Sequence, residues 1–583
     1  MQKTFLLSSL LFAALLPGQN EGASGAAPQP VAGGVPVAGG NAAATGESAW
    51  TRDFGQPGAD GSFRARFSRD GAGLVFLMLL DHYKDVASKN REPHTKDDYL
   101  LLGYNGADHA LRLVGAPGET QFPMDLATAP WQVRDEGDTV TFAIESGDGL
   151  VFEKVLRHDP SQRGFVLELV LRNRENSGHA AGGNAAFTLL GPALSNPHEI
   201  SLLRGASLAI AAQTDGAVAS LHPAAGKLQP FATPAGQFVF AGNTNRFFGT
   251  FLYPKDDAAR AALQSVAVET VPPVDDPVTQ TTANSVARCR FALHMAVPAP
   301  GGETRLSYGL YFGPKSARVF DTMANPELLQ PVIKEDLASP CCFIEVPFGR
   351  QIARGLLWLL GLFHGWVGNW GVAIIMLTIL VRGLLSPLNF RMQKSMRAYS
   401  ARMAVLKPKL DALKTQYGDD QRAYQQAMVA FQREHKLMPP LGGCLPIFLT
   451  MPIYVGLFTA LRTAYDLRQQ PFVSWIDDLS VSDSLFALPF WPHVFNLLPL
   501  LWMGLMAFLT LRQPLPTDPQ QRQMQSMMRL MPLIFGVMLY NYASGLLVYM
   551  VTSMLWSLVE SAVIKKVLGP MDPNVAAMAP TPI

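Results

Sequence analysis

Trp370-Gly-Val-Ala-Ile-Ile-Met-Leu-Thr-Ile-Leu-Val-Arg382-Gly-Leu-Leu-Ser-Pro-Leu388 is almost wholly apolar, yet it holds one guanidinium, Arg382. At 1.5 Å per residue the stretch makes about 28 Å of helix, close to the ~30 Å hydrocarbon core of a bilayer. A cation there costs about 2.5–3.5 kcal/mol even on the lenient insertion scale, so it marks a working site by default. The competing reading is that Arg382 snorkels: it lies six residues, or about 9 Å, before Leu388, within reach of the headgroups.

Further apolar segments follow. Residues 441–461 contain Pro446 and Pro452, with Thr450 near the middle; residues 485–511 contain Pro489, Pro492 and Pro499. The block 530–563 would run about 51 Å as one helix, too long for a single crossing, and Asn541-Tyr-Ala-Ser-Gly545 divides it into a hairpin. The pattern predicts an α-helical polytopic membrane domain of five core helices over 369–566. A retained N-terminal segment makes six.

Charge orients these helices. Residues 390–436 carry ten Lys and Arg against four acids, Arg512, Arg522 and Arg529 follow the third segment, and Lys565-Lys566 follow the last. The loop 466–484 holds Asp466, Asp477, Asp478 and Asp483 against Arg468 alone. The positive-inside rule therefore places the basic loops and the C-terminus (tail 567–583) in the cytoplasm. Within 390–436, Met392, Met396, Tyr399, Met403, Leu406, Leu410, Leu413 and Tyr417 recur at spacings of four and three, and Tyr424, Met428 and Phe431 resume the seam after Gly418-Asp-Asp420. That predicts a cytoplasmic helical hairpin with a kink or a late start at Pro408. Met392, Met396, Met403 and Met428 are soft, adaptable contacts for apolar nascent segments, and the cations suit ribosomal RNA or lipid headgroups.

The chain ahead of the membrane part has a different composition. Residues 1–17 hold Lys3 and then about a dozen apolar residues, which fits a signal peptide or a short signal anchor better than a ~20-residue span. A flexible Gly/Ala/Pro-rich linker occupies 18–48. Over 49–335, short alternating runs such as Phe63-Arg-Ala-Arg-Phe67 and Thr139-Val-Thr-Phe-Ala-Ile144 lie between turn residues, predicting an exported antiparallel β-sandwich. Residues 343–367, with Arg350, Arg354 and His364 among Leu, Phe and Trp, read as an amphipathic helix on the outer membrane face.

The net charge of +1 supplies no global field for nucleic acid. His82, His94, His109, His158 and His179 show no ligand spacing and read as surface or strand-end residues; no metal or cofactor site, phosphate loop or nucleophile elbow is present, so no enzyme is expected. Cys289, Cys341, Cys342 and Cys444 make no zinc box, although a bridge from Cys289 to Cys341 or Cys342 stays open.

Several motifs occur in a fixed order: Asn369-Trp-Gly371, Thr378-Ile-Leu-Val-Arg382-Gly, Leu406-Lys-Pro-Lys409, Tyr417-Gly-Asp-Asp420, Pro440-Leu-Gly-Gly-Cys-Leu-Pro446, Met451-Pro452-Ile453, Trp475-Ile-Asp-Asp-Leu479 and Ser544-Gly545-Leu546. Together with Leu310-Tyr-Phe-Gly-Pro-Lys315 they resemble the YidC/Oxa/Alb family of membrane protein insertases, in its Gram-negative form with a large periplasmic domain. The resemblance implies a β-super-sandwich in the periplasm and a multi-pass inner-membrane domain. It also implies nascent membrane proteins as clients, with the Sec translocon and the ribosome as further partners. The family's groove cation corresponds to Arg382, a neighbouring polar groove residue to Thr378, a family Gln to Thr450, and the substrate-contacting face of the last helix to the neighbourhood of Tyr549. The chain departs at Pro439, where Asn is usual, and at Met550, where an aromatic is common. A transporter or channel with a periplasmic binding domain is the competing class, but the spans show no internal repeat and few ionisable residues (Arg382, His493 and Glu560). A carbohydrate-active β-sandwich is the third, and would need a cleft of paired carboxylates.

Overall fold

The computed structural model describes residues 48–104, 109–175, 177, 182–194, 208–221, 227–271, 286–338, 349–417, 421–434, 445–489, 494–511 and 519–569. The N-terminal segment 1–17, the linker, His179, Cys341, Cys342, Cys444, Pro439, His493 and the C-terminal tail lie outside them.

The first half is β-structure. Nine antiparallel strands form one sheet in the spatial order Val218–Leu221, Leu208–Gln213, Phe238–Thr244, Phe248–Pro254, Glu303–Pro314, Gly164–Asn173, Leu150–Asp159, Thr139–Glu145 and Gln132–Glu136. A five-stranded sheet (Gln229–Pro230, Leu263–Val271, Val286–Ala296, Asn184–Leu190, Leu113–Val114) and a four-stranded sheet (Ala49–Phe54, Phe63–Ser68, Gly73–Tyr83, Tyr99–Tyr104) share its core. In Thr139–Glu145 burial alternates residue by residue, as a strand with one face inward requires. Phe248–Pro254 is buried throughout, because its second face is covered by a smaller core containing Phe320 and Val332 from the helices Ala317–Asp321 and Gln330–Ala338.

Two of the histidines stand at strand ends and are engaged there. The His82 ring meets Asp81 and packs edge-on against Phe248. His158 sits among Phe54, Phe63 and Phe165 and bonds the carbonyl of Gly61 at 2.7 Å. Neighbouring aromatics raise the burial of such strand-end histidines beyond what their own position shows. Cys289 is an unbridged thiol, buried, donating to Asn243 Oδ1 at 3.2 Å; burial pushes its pKa up, which makes it inert.

The second half is helical. The helix Gly349–Val367 turns Ala353, Leu356, Leu360 and Phe363 inward at spacings of three and four, and leaves Trp358 and Trp366 exposed. Trp370–Tyr417 then runs as one helix, without a break at residue 389 and through both Pro387 and Pro408. A proline forfeits one backbone hydrogen bond inside a helix; beside Pro387 the Ser386 hydroxyl bonds back to the Arg382 carbonyl at 3.0 Å. Gln421–Glu434 packs back against this helix, with Phe431 buried and Leu406, Leu413, Tyr424 and Met428 half-buried. Leu445–Thr463 crosses Gly349–Val367 closely: a Cβ at Gly456 would lie 3.3 Å from the Ala353 nitrogen.

The third apolar segment is shorter than its sequence suggests. Its helix is only Leu497–Leu511, while Phe486–Ala487 and Val494–Phe495 form a two-stranded ladder ahead of it. Proline cannot donate to a helix interior, and Pro489 ends the described part of that stretch outside one. The helix starts where Asp483 Oδ2 accepts from the Leu497 and Leu498 nitrogens at 2.7 and 3.0 Å. Pro519–Met538 and Ser544–Leu568 follow, separated by the turn containing Asn541 and Tyr542. Two of the described helical stretches, Trp370–Ser395 and Ser544–Val567, are long and apolar enough to cross a membrane.

The two halves are joined by the loop after Leu445–Thr463. Arg468 Nη2 and Gln469 Nε2 both donate to the Tyr83 carbonyl, at 2.9 and 2.8 Å, and Arg246 Nε donates to the Arg462 carbonyl at 2.9 Å. Phe248 stacks edge-on against Tyr465 with centroids 5.8 Å apart.

Candidate functional site

The helices are buried against one another at one end and more exposed at the other. On Trp370–Tyr417, residues Trp370, Ala373, Ile374, Leu377 and Thr378 are buried, whereas none from Ile379 to Ser395 is. On Ser544–Leu568 the continuous buried run ends at Tyr549, and on Leu445–Thr463 the described residues before Gly456 are at most half-buried. The packed end is fixed by the capping residues. Asn369 Oδ1 accepts from the Val372 nitrogen at 3.1 Å while its Nδ2 donates to the Phe472 carbonyl at 3.0 Å. Gly371 admits the Phe472 ring, which a Cβ there would strike at 2.0 Å. The Ser544 hydroxyl reaches the Asp478 and Val481 carbonyls, both at 2.8 Å. Thus Asn369-Trp-Gly, the Asp-rich loop and Ser544-Gly545 form one knot.

Arg382 lies just past that end, one helical turn beyond Thr378. Its guanidinium is half-buried, with Cζ 5.1 Å from the centroid of the Tyr454 ring. Cation–π contact keeps a guanidinium well hosted where no carboxylate reaches it, and no ion pair of Arg382 occurs among the described residues. Tyr454 in turn approaches Tyr549 at 6.2 Å. The structure therefore brings together Arg382, Tyr454 and Tyr549 from three helices.

Thr378 is placed differently from its expected role. It is 1% exposed, and its Oγ1 donates to the Ile374 carbonyl at 2.7 Å, so its hydroxyl serves its own helix. Thr450 belongs to Leu445–Thr463, one turn before Tyr454, but its side chain lies outside the described set, as do those of Met396 and Met403; Met392 and Met428 are half-buried. Tyr454 escaped the sequence reading, although an aromatic one turn from Thr450 on an apolar helix is the signal that finds it. Further along, the two helices stay in contact: Trp556 Nε1 donates to Ser386 Oγ at 3.3 Å, and Glu560 Oε2 lies 3.5 Å from Asn389 Nδ2.

Residues 362–570 match a family model described as 60Kd inner membrane protein. Membrane protein insertase YidC of Pseudomonas syringae pv. tomato is 36% identical over 282 residues, covering 48% of this chain and 44% of the relative. The insertases of the same name from Neisseria meningitidis and Pseudomonas fluorescens are 38% and 39% identical, over 45% and 44% of this chain and 42% and 40% of theirs. The chain thus spans less than half the length of these relatives. A galactose mutarotase related enzyme from Lactobacillus acidophilus is similar in structure over 45% of this chain and 97% of its own, at 8% identity and a TM-score of 0.28, too slight to add to the strand order above. The knot of Asn369, Gly371 and Ser544 and the surroundings of Arg382 all fall within residues 362–570, and over somewhat less than half of its length this chain is similar to the YidC insertases.

Proposed function

We propose that this protein is a membrane protein insertase, which receives hydrophobic segments of nascent membrane proteins and releases them into the lipid of the inner membrane. The observation that carries this reading is a half-buried Arg382 with Tyr454 and Tyr549 beside it, where burial of the helices ends on the side of the basic residues that follow Leu388. The chain's similarity to proteins named membrane protein insertase supports it.

Burying an apolar helix in lipid is downhill, so no hydrolysis is required. The barrier is passage of the client's polar flank through hydrocarbon. An opening that holds a half-exposed guanidinium stays hydrated and attracts acidic flanks, which lowers that barrier. Arg382 is the electrostatic receptor, Tyr454 holds it through its ring face, and Tyr549 with Thr450 lines the path; Thr378 packs behind. The short helix Leu497–Leu511, about 22 Å long, favours a locally thinned bilayer. The charge bias places the β-region in the periplasm and the Met-bearing hairpin in the cytoplasm, where it meets clients and the ribosome; the Sec translocon is a lateral partner.

Reconstituted vesicles test this. Arg382→Ala should lower insertion of a client with an acidic translocated tail about tenfold, a loss of ~1.4 kcal/mol, while Arg382→Lys retains most of it. Equal insertion by all three forms sinks the reading.

A further inference from the structure

Where the β-region meets the helices, a cleft of about 540 Å³ opens between the helices Gln330–Ala338 and Gly349–Val367 and the residues that follow Thr463. Four of its lining residues are cations, Lys315, Arg318, Lys334 and Arg354, against a single acid, Asp466. Arg318 is already engaged, lying 5.2 Å over the Trp370 ring and interacting with Asp466. Lys334 and Arg354 are exposed, and neither makes an ion pair or hydrogen bond among the described residues. The remaining lining is mainly apolar, with Ile333, Leu357, Leu360, Leu362 and Trp358 forming floor and rim.

Two features select the occupant. The excess of cations calls for an anion, and a pocket of this size takes a molecule larger than a bare phosphate. Beside it, Trp358, Leu362 and Trp366 form a stripe at spacings of four, with the two tryptophans 70% and 67% exposed. Exposed tryptophans beside cations belong at the headgroup level of a bilayer. We propose that this cleft binds one anionic phospholipid of the leaflet facing the β-region, with its phosphate at Lys334 and Arg354 and its acyl chains along Trp358 and Leu362. The lipid would pin the junction of the two halves to the membrane surface. The inference rests on the helical region being embedded in a bilayer, not on insertase activity.

Native mass spectrometry of the full chain in detergent, titrated with phosphatidylglycerol or phosphatidylethanolamine, tests it. The protein should retain one phosphatidylglycerol more tightly than phosphatidylethanolamine. Lys334→Glu with Arg354→Glu should weaken that retention on the order of tenfold, while Lys255→Glu on the far β-surface leaves it unchanged. Trp358→Ala, which keeps every charge, should weaken it too and serves if the double variant does not fold. Equal retention of the two lipids, or retention unmoved by both variants, overturns the proposal. So does displacement of the lipid by an equal concentration of glycerol 3-phosphate, which would mark a free-anion site. Insertion assays do not bear on the result, so the two readings fail separately.

Discussion

Each half of the molecule keeps a cation against aromatic rings, and the contrast between the two separates core from site. Lys154, in the strand Leu150–Asp159, is fully buried: its Nζ donates to the carbonyls of Ala72 and Leu111 and lies 5.8 and 5.1 Å over the Trp131 and Phe142 rings. Arg382 has one ring beneath it and water-accessible surface above. The first cation is saturated by protein and has nothing left to offer a ligand; the second is held and still open. The surroundings follow the same division. Among the described residues of the β-region only Leu228 is a strongly exposed large apolar side chain, whereas the helices expose Leu384, Leu555, Val559 and Val563, among others. One hydrophobic effect acts on both halves, but the β-region buries its apolar surface against itself and the helices leave theirs for lipid.

The contrast can be broken at four points. Phe152→Ala empties a site packed by Phe122, Trp131 and Phe187 and should cost about 3–5 kcal/mol in the unfolding transition of the β-region, read by calorimetry of the full chain. A loss under 1 kcal/mol would mean that this core relaxes freely.

Lys154 gives a pH signature. Burial first, and repulsion from Arg112 second, lower its pKa from 10.5 to about 7. Between those values the unfolded chain binds more protons, so stability should rise with pH from about 7 upward, by up to ~1.4 kcal/mol per unit. Below about 7 both states are charged and the full burial penalty remains. Lys154→Met should flatten this dependence in thermal melts at pH 6 to 9; an unchanged slope would show that another group carries it.

Tyr454→Leu removes the ring beneath Arg382 while keeping its volume apolar, and should reduce insertion of acidic-tailed clients about threefold, consistent with a cation–π contact of ~0.5–1 kcal/mol. A variant as active as the parent would separate the ring from the guanidinium's role. Smallest of all, Leu384→Ala, at an 80%-exposed position of the long helix, should shift the melting of the detergent-solubilised protein by less than ~0.5 kcal/mol. A core-sized loss there would show that the helix face is packed rather than lipid-facing.

Much of this was legible locally. The alternation in Thr139–Glu145 and the apolar length beginning at Trp370 announce a strand and a span because each is a short-range periodicity. Lys154 could also have been found, since it occupies an inward position in the alternating strand beginning at Leu150, between Phe152 and Leu156. The limits of Leu497–Leu511 were harder. Apolar content runs back to Leu485, and only the Asp483 cap and the ladder of Phe486 with Phe495 show where helix begins.

The chain by itself determined the two solvents of this protein: alternation where a sheet covers its own core, long apolar runs where lipid must do so, and an Arg inside one run. Tertiary structure decided what surrounds that Arg. Tyr454 lies 72 positions from Arg382 and Tyr549 lies 167, and the anchor from Arg468 and Gln469 to Tyr83 joins residues nearly four hundred positions apart. Such contacts are chosen by the packing of whole elements, which no local periodicity encodes. For the same reason the cationic cleft, whose four cations are drawn from three separate helices and a loop, came into view only once those elements were in place.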